Sequence, residues 1–187
     1  MDKQDKVDRI YLRMAQVWSE NSYAIRRQVG CLVVKDRMII SDGYNGTPSG
    51  FENVCEEVTG CKDHPDIIKG MQCVKVVRKD DPYNPDNFTC KKVYYKYPND
   101  CLHCEHAQLT TKPYVLHAEA NALTKLAKSH NSSAGATLYV TDEPCMECSK
   151  MIIQSGIKRV VFIREYRLHE GTELLKRAGI EVKQINI

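Results

Sequence analysis

The sequence predicts an α/β fold: one five-stranded mixed sheet with helices on both faces. Three observations carry this. A helical pattern opens the chain and leads into a hairpin of two apolar runs. From residue 117 onward, helical and strand patterns alternate without interruption. Two of the later helices end on glycines, Gly156 and Gly179.

The elements follow in order. Val7, Ile10, Tyr11, Met14, Val17 and Trp18 recur at helical spacing, so about residues 3–20 form an amphipathic helix with this stripe toward the core. "VGCLVVK" (29–35) is a buried-strand run in which Cys31 fills core. "DR" turns the chain into the second strand, within "MIISDGYNG" (38–46). Residues 117–129 are helical in pattern, through Ala118, Ala120, Ala122, Leu123, Leu126 and Ala127. "ATLYVT" (136–141) is a strand, "CMECSKMIIQSG" (145–156) a helix, and "KRVVFI" (158–163) a strand. About residues 168–178 form a helix, and "IEVKQI" (180–185) is the last strand.

The 187 residues are expected to form a single domain, 1–187, with a cysteine-rich insertion at about 52–114. There "TPSG", "DDPYNPDNF" and "KYPND" break any regular pattern, and six of the nine cysteines fall in this stretch. A structureless loop of that length is out of place in a compact domain, so something is expected to brace it.

Composition narrows the function classes. The chain is 42% hydrophobic and 27% charged, with a formal net charge of +3. That excess is too small for a nucleic-acid coat and suits a small anionic ligand. No apolar run reaches the length of a membrane span. The charged start "MDKQDKVDRIYLRM" has no signal-peptide apolar region, so a cytoplasmic protein is expected. Disulfides are not expected in that compartment, and closely spaced cysteines there point to metal or to catalysis.

"VLHAEANAL" (115–123) places His117 and Glu119 one residue apart at a helix start. Alone, the pair is a common coincidence. "TDEPCMECSKM" adds Cys145 and Cys148, a Cys-x-x-Cys directly after Pro144. By itself that motif admits metal, redox and chance readings. With His117 it makes three ligands for a zinc ion, the number used by catalytic sites that keep a fourth position for water. The thiolates would sit at a helix N-terminus, where free N–H groups favour negative charge. Glu119 would stand beside the metal as a proton carrier. H-x-E…P-C-x-x-C is the signature of zinc-dependent nucleobase deaminases.

"GYNGTPSGF" (43–51), "HAEANAL" (117–123), "TLYVTDEPCMECSKMIIQSGIKRVVF" (137–162) and "GIEV" (179–182) together resemble deoxycytidylate (dCMP) deaminases of the cytidine-deaminase superfamily. The resemblance implies that family's three-layer fold and hydrolytic conversion of dCMP to dUMP and ammonia, feeding dTTP synthesis. Zinc would be held by His117, Cys145 and Cys148, and Glu119 would move protons between water, ring N3 and the departing amine. Backbone N–H groups at Ala118 and Cys145 would assist. Arg26 in "YAIRRQVG", with adjacent Arg27 as its rival, and Tyr166 in "REYRLH" match the family's phosphate-side positions, and Asn45 a sugar contact. For Asn45 an ordinary Asn-Gly turn competes. Gly43, Tyr44, Asn45 and Gly46 would form part of a subunit-interface site for dCTP (activator) and dTTP (inhibitor), each with Mg²⁺, in a homo-oligomer, commonly a hexamer. A structural zinc is expected on Cys55, Cys101, Cys104 and His106, with Cys61, Cys73, Cys90 and His103 as rivals. The competing functions are a tRNA or other nucleic-acid base deaminase and an enzyme that also accepts dCTP. Riboflavin-pathway deaminases space their two cysteines more widely than this chain does.

Overall fold

The computed structural model of the protein describes residues 2–61, 73–76, 93–96, 101–104, 107–166 and 169–187, with side chains at 2–57, 109–166 and 169–187. The elements run α1 (Lys3–Ser19), β1 (Gly30–Lys35), β2 (Met38–Tyr44), β3 (Glu56–Cys61), β4 (Cys73–Val76), β5 (Val93–Lys96), β6 (Cys101–Cys104) and β7 (Ala107–Thr111). They continue with α2 (Ala118–Leu126), β8 (Thr137–Asp142), α3 (Met146–Gln154), β9 (Arg159–Arg164), α4 (Glu170–Arg177) and β10 (Glu181–Gln184). Two compact units result. One comprises residues 1–22, 28–45 and 116–187, the other 23–27 and 46–115.

The first unit is built on a five-stranded sheet of order β10-β9-β8-β1-β2. The pairs β1/β2 and β1/β8 are antiparallel, and β8/β9 and β9/β10 are parallel, as the mixed sheet predicted from sequence requires. Strand alternation sorts side chains onto two faces. Cys31, Val33, Leu138, Val140, Val160 and Phe162 pack with Ala118, Ala122 and Leu126 of α2, Ile152 of α3 and Leu175 of α4. Leu32, Val34, Tyr139, Val161 and Ile163 pack on the opposite face with Leu12 and Ala15 of α1. The architecture is therefore helix, sheet, helix in three layers. The hairpin tip is a two-residue turn with Asp36 and Arg37 both at positive φ (51° and 64°), the handedness that matches the twist of paired strands.

The buried face of α1 is only partly the predicted one: Tyr11 packs against the core beside Tyr139, but most of the predicted stripe does not. Ile10, Met14, Val17 and Trp18 are exposed, whereas Asp8, Leu12 and Ala15 are buried. Close approach explains the choice. A Cβ at Gly30 of β1 would come within 3 Å of Ala15 O and Ser19 N, so α1 lies backbone against backbone on the sheet. Small Ala15 fits that gap and larger side chains do not. Asp8 is tolerated because it is fully satisfied. It receives two hydrogen bonds from Arg159 (2.8 and 2.7 Å), one from Tyr139 (2.8 Å) and one from Gln4 (2.9 Å).

α2 rests on β2 through the same device. A Cβ at Gly43 would meet Ala118 O and Ala122 N within 3 Å. Ser41 Oγ, buried, donates to Ala122 O at 2.7 Å and fixes the helix along its axis.

In the second unit, β3 and β7 pair antiparallel, and β4-β5-β6 form a three-stranded antiparallel sheet. The breaker-rich stretch thus carries short strands. Cys55 is buried with Ala24 and Val115. Cys101 and Cys104 are the end residues of β6, with side chains outside the described set, as are those of Cys61, Cys73 and His103. His106 and Cys90 lie outside the described residues altogether. Among the described residues no helix is long and apolar enough to cross a membrane.

Candidate metal centre

His117 caps α2 with extended backbone (φ −71°, ψ 156°), and Cys145 caps α3 in the same way (φ −72°, ψ 170°). Both side chains are thereby thrown forward from a helix start. Cys148 follows one turn into α3 and is buried. His117 Nδ1 lies 3.4 Å from Cys145 Sγ and 3.4 Å from Cys148 Sγ, and all three ligand atoms fall within 4.8 Å of one another. A zinc tetrahedron with usual bond lengths sets a nitrogen and a sulfur about 3.6 Å apart. The observed spacing fits that ion. Among the described residues it is the one such cluster.

The electrostatics say the same. Donation from Cys148 holds the Cys145 thiol down at about 3, despite burial and with help from His117. Cys148 is driven far up in return, chiefly as the donor to Cys145 and then by burial. His117 is raised, first by its bond to Cys145. Two sulfurs and one imidazole contend for the same protons, the situation a divalent cation relieves.

Glu119 stands in the first turn of α2 with 4% of its surface exposed. Burial pushes its carboxyl up to about 7, against the opposing pull of its own backbone N–H and of His117. A carboxyl poised near neutrality beside three metal ligands is equipped to take and return a proton.

The other predicted residues divide. Ala118 is fully buried at the first helical position of α2. Asn45 Oδ1 accepts the Val29 N–H at 2.8 Å, and the Asn45 N–H donates to Val29 O at 3.1 Å, which closes the mouth of the β1–β2 hairpin. Tyr44 O accepts from Asn121 of α2. Gly43 has its packing role under α2, and Gly46 begins the second stretch of the second unit. Tyr166 has an exposed ring, and its N–H donates to Glu143 Oε2 at 2.9 Å. Arg26 lies in the second unit, where its N–H and that of Ile25 donate to buried Glu56 Oε1. Sequence reasoning missed Glu143. Its only signal was its place two residues before Cys145 in "TDEPC".

A three-layer α/β unit that gathers His/Cys/Cys at two helix starts, with a buried glutamate alongside, defines a metal-dependent hydrolytic deaminase. The family model "Cytidine and deoxycytidylate deaminase zinc-binding region" matches residues 5–164. The deoxycytidylate deaminase of Enterobacteria phage T4 is 33% identical over 180 residues, covering 91% of this chain and 86% of that protein. The human deoxycytidylate deaminase is 29% identical over 181 residues, covering 93% and 76%. A crystal structure of the dCMP deaminase from cyanophage S-TIM5, in complex with dCMP and dUMP, superposes with a TM-score of 0.67 at 32% identity, covering 99% of both chains. The chain belongs to the cytidine and deoxycytidylate deaminase family.

Proposed function

We propose that the protein deaminates dCMP hydrolytically to dUMP and ammonia. The observation that carries this is the buried Glu119 beside the His117/Cys145/Cys148 cluster, on a fold shared over its whole length with a dCMP deaminase that binds dCMP and dUMP. His117, Cys145 and Cys148 would hold a zinc ion, which would supply Lewis acidity toward the attacking water. Glu119 takes a proton from the attacking water and delivers it to ring N3, which makes C4 electrophilic, and the hydroxide oxygen bonds to C4. It then takes the remaining proton from the hydroxyl added at C4 and passes it to the amine; the C4–N bond breaks, ammonia departs and the C4 carbonyl forms. By the family resemblance, Arg26 and Tyr166 are each assigned to the 5′-phosphate, Asn45 to the sugar, and the backbone N–H groups of Ala118 and Cys145 to the reacting base.

The finer reading rests on the family resemblance. The product feeds dTTP synthesis in the cytoplasm. dCTP activates and dTTP inhibits, each with Mg²⁺, at Gly43–Gly46 in a homo-hexamer. A second zinc braces the insertion through Cys55, Cys101, Cys104 and His106. A nucleic-acid base is the competing substrate. The deciding experiment compares ammonia release from dCMP, deoxycytidine, CMP, dCTP and a cytosine-containing oligonucleotide, with and without each triphosphate. Preference for dCMP supports the assignment. Preference for dCTP or the oligonucleotide overturns it, and rates unmoved by both triphosphates remove the regulation.

A further inference from the structure

Glu143 accepts three hydrogen bonds, all from the segment leading out of β9 into α4. Tyr166 N–H donates to Oε2 at 2.9 Å, His169 Nδ1 lies 2.9 Å from the same oxygen, and Thr172 Oγ1 donates to Oε1 at 2.6 Å. The Glu143 N–H in turn donates to Arg164 O at 2.8 Å. The residue is 4% exposed, and a carboxylate so buried needs such partners to offset lost hydration. Glu143 is two residues from Cys145, so the ligand's own turn is welded to the start of α4.

A second contact acts at the same place. Gly171, in the first turn of α4, is buried. A Cβ there would come within 3 Å of Pro144 O, Cys145 C and Ser149 Oγ. Ser149 Oγ is buried with no hydrogen-bond partner among the described residues. The α4 backbone therefore lies flat against the Pro144–Cys145 peptide and the first turn of α3. Gly43 provides the matching contact under Ala118, next to His117. The histidine and cysteine halves of the cluster are thus located by separate backbone-to-backbone contacts.

We propose that the first turn of α4 is a positioning element of the metal centre. Glu143, Thr172 and Gly171 hold the Pro144–Cys145 peptide, and through it the Cys145 sulfur, at the spacing from His117 that the ion requires. This rests on the reading of His117, Cys145 and Cys148 as ligands. None of the three positioning residues belongs to the His117/Cys145/Cys148 group.

The test uses the full chain with Thr172→Val, which removes the donor at nearly constant volume, Thr172→Ser, which keeps it, and Gly171→Ala. Zn²⁺ and Co²⁺ affinities are measured against a chromophoric chelator, above the Cys148→Ala baseline. The visible spectrum of the Co²⁺-loaded protein reports ligand geometry without turnover. Thr172→Val is expected to bind about 10- to 100-fold more weakly, the usual effect of losing outer-shell support, with shifted bands. Thr172→Ser restores both, and Gly171→Ala follows Thr172→Val. Wild-type affinity and spectrum in Thr172→Val, whatever its melting temperature, overturn the proposal while leaving the ligand assignment standing. Should Gly171→Ala fail to fold, the Thr172 pair decides. A wild-type chain that binds no metal above the Cys148→Ala baseline overturns the ligand assignment and this proposal together.

Discussion

Asp8 of α1 and Arg159 of β9 stand 151 residues apart in sequence and meet through two parallel hydrogen bonds of 2.8 and 2.7 Å. The Asp8 side chain is fully buried and that of Arg159 is 13% exposed. The companion Arg159–Glu181 pair is 62% exposed on the glutamate side and adds little. Burial alone would raise the Asp8 carboxyl, but Arg159, Gln4 and Tyr139 outweigh it and hold it low. A lowered folded value means that the stabilisation is complete above the ordinary aspartate value of about 3.9 and is lost as pH falls through the folded value. Asp8→Asn should cost about 3 kcal/mol near neutral pH, since it strands Arg159, and should flatten this acid limb. Denaturant melts of both proteins between pH 2 and 7 check it. Identical acid limbs would remove Asp8 as their source.

Glu119→Gln should keep its metal and lose on the order of 10³-fold in turnover, because an amide cannot carry the proton. Metal content and kcat measured on one sample check this. Near-normal turnover with full metal would take Glu119 out of the chemistry.

Cys148→Ala should fail differently, losing the ion itself. Two protein ligands rarely hold a catalytic zinc. Metal analysis after gel filtration distinguishes the cases, and a Cys148→Ala protein with wild-type metal and activity would refute the ligand set.

Gly43→Ala should destabilise the protein by about 2–3 kcal/mol, because the added methyl meets the α2 backbone and not a yielding side chain. Thermal melts test it. A neutral outcome would mean that α2 shifts freely, and then His117 should shift too, visible as weakened metal binding.

Arg26→Ala should raise KM for dCMP with little change in kcat, since a phosphate contact far from the reacting carbon serves ground and transition states alike. Deoxycytidine, lacking the phosphate, should show no such change. An equal loss on both substrates would argue against Arg26 as a phosphate ligand.

Much of the fold was legible because β1, β8 and β9, buried on both faces, read as continuous apolar runs, and Gly156 and Gly179 end their helices at positive φ (both 76°). The metal cluster was legible because His117, Glu119, Cys145 and Cys148 are fixed by local spacing at two helix starts. Long-range complementarity is what sequence hides. The α1 stripe of Ile10, Met14 and Val17 had the stronger apolar pattern, yet the buried face was decided by Gly30 and Arg159. Glu143 and Gly171 escaped for the same reason. One looks like a surface acid and the other like a turn residue until α4 is laid against α3. In the insertion, irregular spacing and many prolines masked short strands.

The order of strands also bears on how the chain finds its shape. β8, α3, β9, α4 and β10 are consecutive, and their pairings close over short stretches of chain. β1 instead pairs with β8 across more than 100 residues, as in Val33 with Leu138. Closing that large loop costs the most chain entropy and is the slow kind of contact. The two cysteines belong to the consecutive half, whereas His117 follows the insertion and rides on β2. An ion that bridges them therefore ties the late-closing half to the early one. Refolding followed with and without Zn²⁺ should show the ion slowing the parting of the two halves more than it hastens their meeting.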